Sequence, residues 1–317
     1  MDWNGVMAHC AQAAKPALGE GRVADYIPAL AKADPSAFAM AVIDIEGDSA
    51  SVGMADVCFS IQSISKVFTL SMALAQRRET LWERVGREPS GTGFNSIVQL
   101  EHEQGVPRNP LINPGAIVVT DTILSDCGGD APAHIVSRLR EAAASDRIAV
   151  SEEIAASEEK WGDRNRSLAY FMKSFDRLEN DPREVLSAYF RQCAIEMTVV
   201  ELARAGLHLA NGGVDPLTGA AFLSRAQTNR VNALMLTCGH YDMSGDFAFR
   251  VGLPGKSGVG GGILAVAPGA ASVAVWSPGL NEAGNSHAGT VALEAFSDCT
   301  GLNIFSDKRP ESSAFED

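Results

Sequence analysis

Residues 36–45 read Ser-Ala-Phe-Ala-Met-Ala-Val-Ile-Asp-Ile, followed by Glu46-Gly47-Asp48. An apolar run closed by a glycine-containing turn predicts a strand entering a hairpin. Across 63–76, Ile64, Val67, Phe68, Leu70, Met72 and Leu74 recur with no glycine or proline, which predicts a buried helix. The stretch 80–235 reads mostly helical. Its clearest start is Thr198-Val199-Val200-Glu201, a capping-box pattern in which each side chain satisfies the other end's free amide. That helix should stop at Asn211-Gly212-Gly213, where glycine tolerates a left-handed cap. Strand character returns at Phe247-Ala248-Phe249-Arg250-Val251. Residues 263–267, the turn Pro268-Gly269 and residues 271–276 predict a second hairpin. Residues 288–296 read as a closing helix, and 307–317 as a polar, frayed tail.

Strands at both ends with a helical block between them predict an α/β (α+β) chain. Its centre is an antiparallel sheet flanked by terminal helices, with a helical subdomain inserted. The expected division is one domain, 1–317, built from 1–79 plus 236–317 around the sheet and 80–235 as the helical part. The length of 317 residues, with 46% hydrophobic and 21% charged positions, is ample for a sizeable core.

The formal net charge is −13. A field of that sign repels phosphate backbones and anionic lipid, so nucleic acid and membrane surfaces are not expected partners. No basic segment followed by an apolar run opens the chain, and no stretch reaches the roughly 18 apolar residues of a membrane span, so a cytoplasmic location is expected. The six cysteines, Cys10, Cys58, Cys127, Cys193, Cys238 and Cys299, are scattered without a C-x-x-C spacing, so reduced thiols are expected rather than a zinc or redox pair.

The first chemistry-bearing segment is Ser63-Ile64-Ser65-Lys66. Three residues along a helix is just under one turn, so Ser63 and Lys66 share a face. A serine hydroxyl is a weak nucleophile until a base accepts its proton, and burial can lower a lysine pKa enough for that task. A chain of this length carries about one such spacing by chance. Here, however, Phe59-Ser60-Ile61-Gln62 and Val67-Phe68 flank the pair with core-like residues, unusual surroundings for a lysine. The second segment is Lys256-Ser257-Gly258-Val259-Gly260-Gly261-Gly262, before the strand at Ile263. It is a variant of the Lys-Thr-Gly that lines the site of penicillin-recognising enzymes, and a backbone amide from it could supply half of an oxyanion hole. Read alone, it is equally a tight turn at a strand edge. Third, 109–116, 158–165, Tyr189 and Tyr241 offer carboxylates, amides and hydroxyls suited to a zwitterionic amino acid, or to caps and turns. No H-E-x-x-H and no G-x-S-x-G occurs, which disfavours a metallohydrolase and an α/β-hydrolase triad.

Taken in order, these segments resemble the glutaminase family, including the catalytic domain of animal kidney-type enzymes. The resembling strings are Val23-Ala24-Asp25-Tyr26-Ile27-Pro28, Ile61-Gln62-Ser63-Ile64-Ser65-Lys66, Glu88-Pro89-Ser90-Gly91 and Asn109-Pro110. They continue with Asn113-Pro114-Gly115-Ala116-Ile117, Gly162-Asp163-Arg164-Asn165, Cys238-Gly239-His240-Tyr241-Asp242 and Gly252-Leu253-Pro254-Gly255-Lys256-Ser257-Gly258-Val259. The resemblance implies a serine β-lactamase-like fold and hydrolysis of L-glutamine to L-glutamate and ammonia through a serine acyl-enzyme, without a cofactor. It implies Ser63 as nucleophile with Lys66 as its partner, and Tyr26 and Tyr241 as hydroxyls beside them. The amides of Ser63 and Val259 would form the oxyanion hole. Asn113, Glu158, Asn165 and Tyr189 would hold the amino-acid end of the substrate. A homodimer or homotetramer is the implied assembly. Pro114 departs from the small residue that many relatives carry there.

Two other readings share these residues. A penicillin-binding or β-lactamase-type hydrolase would use Ser63, Lys66 and the Lys256 segment, but no Ser-Asp-Asn triplet accompanies them. A non-catalytic amino-acid sensor would use the same pocket without needing an activated serine.

Overall fold

The computed structural model describes residues 1–91 and 96–306; the tail expected to fray, 307–317, lies outside the described residues. Strands β1 (Ala39–Asp44) and β2 (Ser49–Gly53) form the first hairpin. Asp44 Oδ1 closes its turn by accepting from the amides of Glu46 (3.1 Å) and Asp48 (2.9 Å). β3 (Phe59–Ser60), β4 (Ala149–Val150) and β5 (Ile195–Met197) make a small separate sheet in the order β3-β5-β4. β6 (Gly255–Ser257), β7 (Gly262–Ala267) and β8 (Ala271–Trp276) complete the main sheet. Its order is β2-β1-β8-β7-β6, with every neighbouring pair antiparallel.

The helices in chain order begin with α1 (Trp3–Ala14), α2 (Ser65–Arg77), α3 (Ile97–His102) and α4 (Asn113–Cys127). α5 (Ala131–Ala143), α6 (Glu152–Trp161), α7 (Asp163–Ser174) and α8 (Pro182–Cys193) follow. α9 (Val199–Ala210), α10 (Arg225–Cys238), α11 (Ser244–Arg250) and α12 (His287–Thr300) complete the set. Among the described residues, no helix is long and apolar enough to cross a membrane.

Both faces of the main sheet are covered, which explains why its strands read as nearly continuous apolar runs. Met40, Val42, Ile263, Val273 and Val275 point to one face, where they pack with Trp3 and Met7 of α1 and Leu293 and Phe296 of α12. Ala41, Leu264, Val266 and Ala274 point to the other and pack with Leu202 and Ala205 of α9. α9 comes close because Gly206 faces the sheet: a Cβ there would lie 2.5 Å from Ser272 Oγ and 2.7 Å from Leu264 Cδ1.

The two expected hairpins are both present, and the capping box at Thr198 is complete, with the Thr198 side chain on the Glu201 amide and the Glu201 side chain on the Thr198 amide. The strand expected at 247–251 is instead helix α11. Phe247 and Val251 are buried one helical turn apart while Phe249 is 90% exposed, and five residues are too few to separate that pattern from a strand. Phe247 also stacks on His240, with ring centroids 3.5 Å apart, which favours continuing the preceding turn as a helix.

Candidate active site

The sequence segments singled out above meet at the start of α2. A 3₁₀ turn, Gln62–Ile64, leads into the helix, so Ser63 lies just before its first residue and Lys66 nearly one turn later. Gln62 has φ +47°, a left-handed conformation rare for a side-chain-bearing residue. Ser65 Oγ donates to the Gln62 carbonyl at 2.7 Å and helps hold the turn. Ser63 is buried, and its amide makes no backbone–backbone hydrogen bond among the described residues.

Lys66 is completely enclosed. Its Nζ donates to Asn113 Oδ1 at 2.6 Å and lies 5.9 Å from the centroid of the Tyr189 ring. Burial pushes the lysine pKa down to about 8, opposed by Cys193 and Glu158. Asn113 opens α4 and passes the chain of contacts on, its Nδ2 donating to Asn165 Oδ1 of α7 at 3.0 Å. Pro114 fits at the start of α4, where a missing amide hydrogen costs nothing. Asn109 has a different part: its Oδ1 accepts from the amides of Leu111 (3.0 Å) and Ile112 (3.1 Å) and so shapes the turn that delivers Asn113.

Glu158 projects from α6 into the same space and is 6% exposed. Burial raises its pKa to about 7; a hydrogen bond from the Gln62 side chain and the Lys66 charge act against that rise. Tyr189 of α8 is buried, and its pKa is pushed well above 10 by burial and by Cys193 and Glu158. Gly162 lets the α6–α7 junction press against α8, since a Cβ there would sit 2.4 Å from Phe190 Cζ.

The opposite wall comes from the C-terminal third of the chain. Tyr241 occupies a 3₁₀ turn, Tyr241–Met243, with φ +53°. Its hydroxyl is in hydrogen-bond contact with the Ser63 side chain and the Val259 amide, and lies 3.5 Å from the Ser257 carbonyl oxygen. Burial raises the phenol pKa against the pull of those contacts. Lys256 Nζ donates to the carbonyls of Gly239 (3.0 Å) and Ser257 (2.6 Å) and lies 4.7 Å from the Tyr241 ring centroid. Burial, then the Lys66 charge, holds its pKa well below 10.5. Glycines bring this segment onto the Ser63 turn: a Cβ on Gly258 would stand 2.6 Å from the Ile61 carbonyl oxygen, and one on Gly260 2.2 Å from that of Ser60.

Tyr26 lies at the rim. The residue is 56% exposed, while its hydroxyl end faces inward, where burial, Tyr241 and Glu158 push its pKa up. Thus Ser63, Lys66, Asn113, Glu158, Asn165, Tyr189, Tyr241 and Val259 converge, and Tyr26 borders them. One relationship differs from the expectation that serine and lysine lie directly together. Ser63 touches Tyr241, whereas the Lys66 amine is taken up by Asn113. Sequence reasoning gave no part to Gln62, Ser60 or Cys193, which also line or support this space. Cys193 follows Tyr189 by four residues on α8, a spacing that could have placed it there.

A buried hydroxyl with a phenol on it, two backbone amides nearby and polar groups spread to one side can perform acyl transfer on a small polar amide. With the antiparallel sheet and flanking helices, this defines a hydrolase of the β-lactamase-like fold. Residues 21–305 match the family model described as Glutaminase. The chain is 56% identical over 296 residues to a glutaminase of Rhizobium rhizogenes, covering 92% of this chain and 95% of that one. It is 55% identical over 308 residues to a glutaminase of Agrobacterium fabrum, covering 96% and 99%. Among solved structures, a probable glutaminase superposes with a TM-score of 0.90 at 38% identity, covering 96% of this chain and 99% of that one. A probable glutaminase from Bacillus subtilis complexed with 6-diazo-5-oxo-L-norleucine gives 0.84 at 31%, covering 95% and 96%. The chain belongs to the glutaminase family, and it is an amidohydrolase that converts L-glutamine to L-glutamate and ammonia.

Proposed function

We propose that this glutaminase works through a serine acyl-enzyme with Ser63 as the nucleophile. The observation that carries the proposal is the Ser63–Tyr241 contact beside the Val259 amide. Ser63 Oγ attacks the side-chain amide carbon of glutamine. Its proton passes to the Tyr241 oxygen as Tyr241 gives its own proton to the departing nitrogen, so ammonia leaves and the phenol stays neutral throughout. The raised phenol pKa supports this relay, because a tyrosinate is not called for at any stage. The Ser63 and Val259 amides stabilise the tetrahedral oxyanion; one such donor typically supplies about 3 kcal/mol. Water then attacks the glutamyl ester and the same relay returns a proton to Ser63. Lys66, held by Asn113, sets the positive field around the serine.

The substrate's amino-acid end is held on the other side. Glu158 takes the α-ammonium, and the amides of Asn113 and Asn165 with the Tyr189 hydroxyl take the carboxylate. Support comes from a related structure, Mglu in its glutamate form, which is 35% identical with a TM-score of 0.87. Tyr26 at the rim closes over the bound substrate. We further propose the division into 1–79 plus 236–317 and 80–235, on the ground that all strands of the main sheet come from the first two stretches. A homodimer or homotetramer is proposed on the family resemblance, and the cytoplasmic location expected from the sequence is kept as a proposal. Ser63→Ala is the test of the nucleophile: ammonia release is abolished while the circular dichroism spectrum is unchanged. Substantial retained turnover rejects the assignment.

A further inference from the structure

Glu158 is a carboxylate in an enclosed site, and it stays useful for an ammonium only if something holds its charge in place. The Gln62 side chain does so, yet Gln62 sits in a left-handed conformation that its own backbone disfavours. A second contact fixes it. Gln62 Nε2 donates to Ser60 Oγ at 3.0 Å, and Ser60 Oγ in turn donates to the Cys193 carbonyl oxygen at 2.8 Å. Ser60 is buried on β3, directly opposite Glu196 of β5, and its one hydroxyl proton is committed to the Cys193 carbonyl. Without that anchor the Gln62 side chain is held toward Glu158 from one side only and is no longer fixed from two.

We infer that Ser60 is a positioning residue for substrate selectivity: through Gln62 it aims the Glu158 carboxylate at the α-ammonium of glutamine. The inference rests on Glu158 being the ammonium holder. Ser60 itself touches no reacting atom, so its loss should weaken recognition of the ammonium and leave the chemistry of Ser63 alone.

The experiment compares wild type, Ser60→Ala and Glu158→Gln with glutamine and with 5-amino-5-oxopentanoate, the same amide without the α-amino group, used as a competing ligand. In Ser60→Ala the KM for glutamine rises about tenfold, the scale of one hydrogen bond to a charged group, while kcat stays within about twofold. The inhibition constant of the deaminated analogue is unchanged. The groups facing Glu158 are Gln62 and Lys66 from the α2 end, Tyr189 and Cys193 from α8, and Tyr26 from the rim. Of these only Gln62 is released, so the acid limb of kcat/KM moves to higher pH, a change that a general loosening would not produce. If Ser60→Ala weakens both ligands equally, or leaves the KM and the acid limb in place while Glu158→Gln loses glutamine binding, the role of Ser60 is overturned. If Glu158→Gln itself binds glutamine normally, the underlying reading of Glu158 fails instead.

Discussion

Replacing Glu158 by glutamine should make the empty enzyme more stable and less able to bind its substrate. The carboxyl titrates at 4.5 when free and at about 7 in the folded chain, chiefly because it is buried. Below pH 4.5 it is protonated in both states and contributes nothing. Between 4.5 and about 7 the folded chain keeps a proton that the unfolded chain has released, so stability falls as pH rises, and above 7 the whole cost is present. At about 1.4 kcal/mol per pH unit, that cost is about 3 kcal/mol. Glutamine has the same shape, carries no charge, and its carbonyl can accept the bond that Gln62 gives to the carboxylate. The attraction to Lys66 is already contained in that value, and relaxation of the buried site around a neutral amide reduces the gain, leaving Glu158→Gln about 1–3 kcal/mol more stable than wild type at pH 8. Urea unfolding without ligand, at pH 4.5 and pH 8, measures this: the two proteins nearly coincide at the lower pH and separate at the higher. The kinetics should move the other way. Wild-type kcat/KM rises with pH through about 7 as the carboxylate forms, and the variant is low and flat across that range. A stability difference that is the same at both pH values, or a wild type that is the more stable at pH 8, refutes the argument.

Tyr241→Phe removes the proposed relay but keeps the ring against Lys256, so kcat should fall about 10²–10⁴-fold with little change in KM, measured by steady-state ammonia release. Gly115→Ala would put a Cβ 1.9 Å from the Asn109 carbonyl oxygen. The turn before α4 must then shift and carry Asn113 with it, costing about 1–3 kcal/mol in urea unfolding and raising the KM for glutamine.

What the sequence disclosed follows from where the information lies. The hairpin at Glu46-Gly47-Asp48 and the capping box at Thr198 are local, and neighbouring residues alone determine them. The strings carrying the family resemblance named candidate residues that the fold brings together around Ser63. The misread segment at 247–251 failed because its partner, His240, acts through a ring stack that no periodicity encodes. The anchoring of Gln62 was hidden for a related reason: a side-chain-bearing residue at positive φ leaves no mark in composition, and Ser60 and Cys193 meet only in the fold. The same holds for Gln192, whose buried amide reaches Ser65, Thr69 and Thr120 and ties α2 to α4 and α8 behind Lys66.

The strand order β2-β1-β8-β7-β6 has a consequence during synthesis. β1 is made early, but the strand that flanks it on its inner side, β8, leaves the ribosome only after most of the chain. Until then the β1–β2 hairpin presents a bare edge whose residues are apolar on both faces, the kind of surface on which growing chains stick to one another. α1 can shield one face early, whereas α9 arrives later for the other. Production of this enzyme should therefore respond strongly to translation speed and to chaperones that bind extended apolar segments.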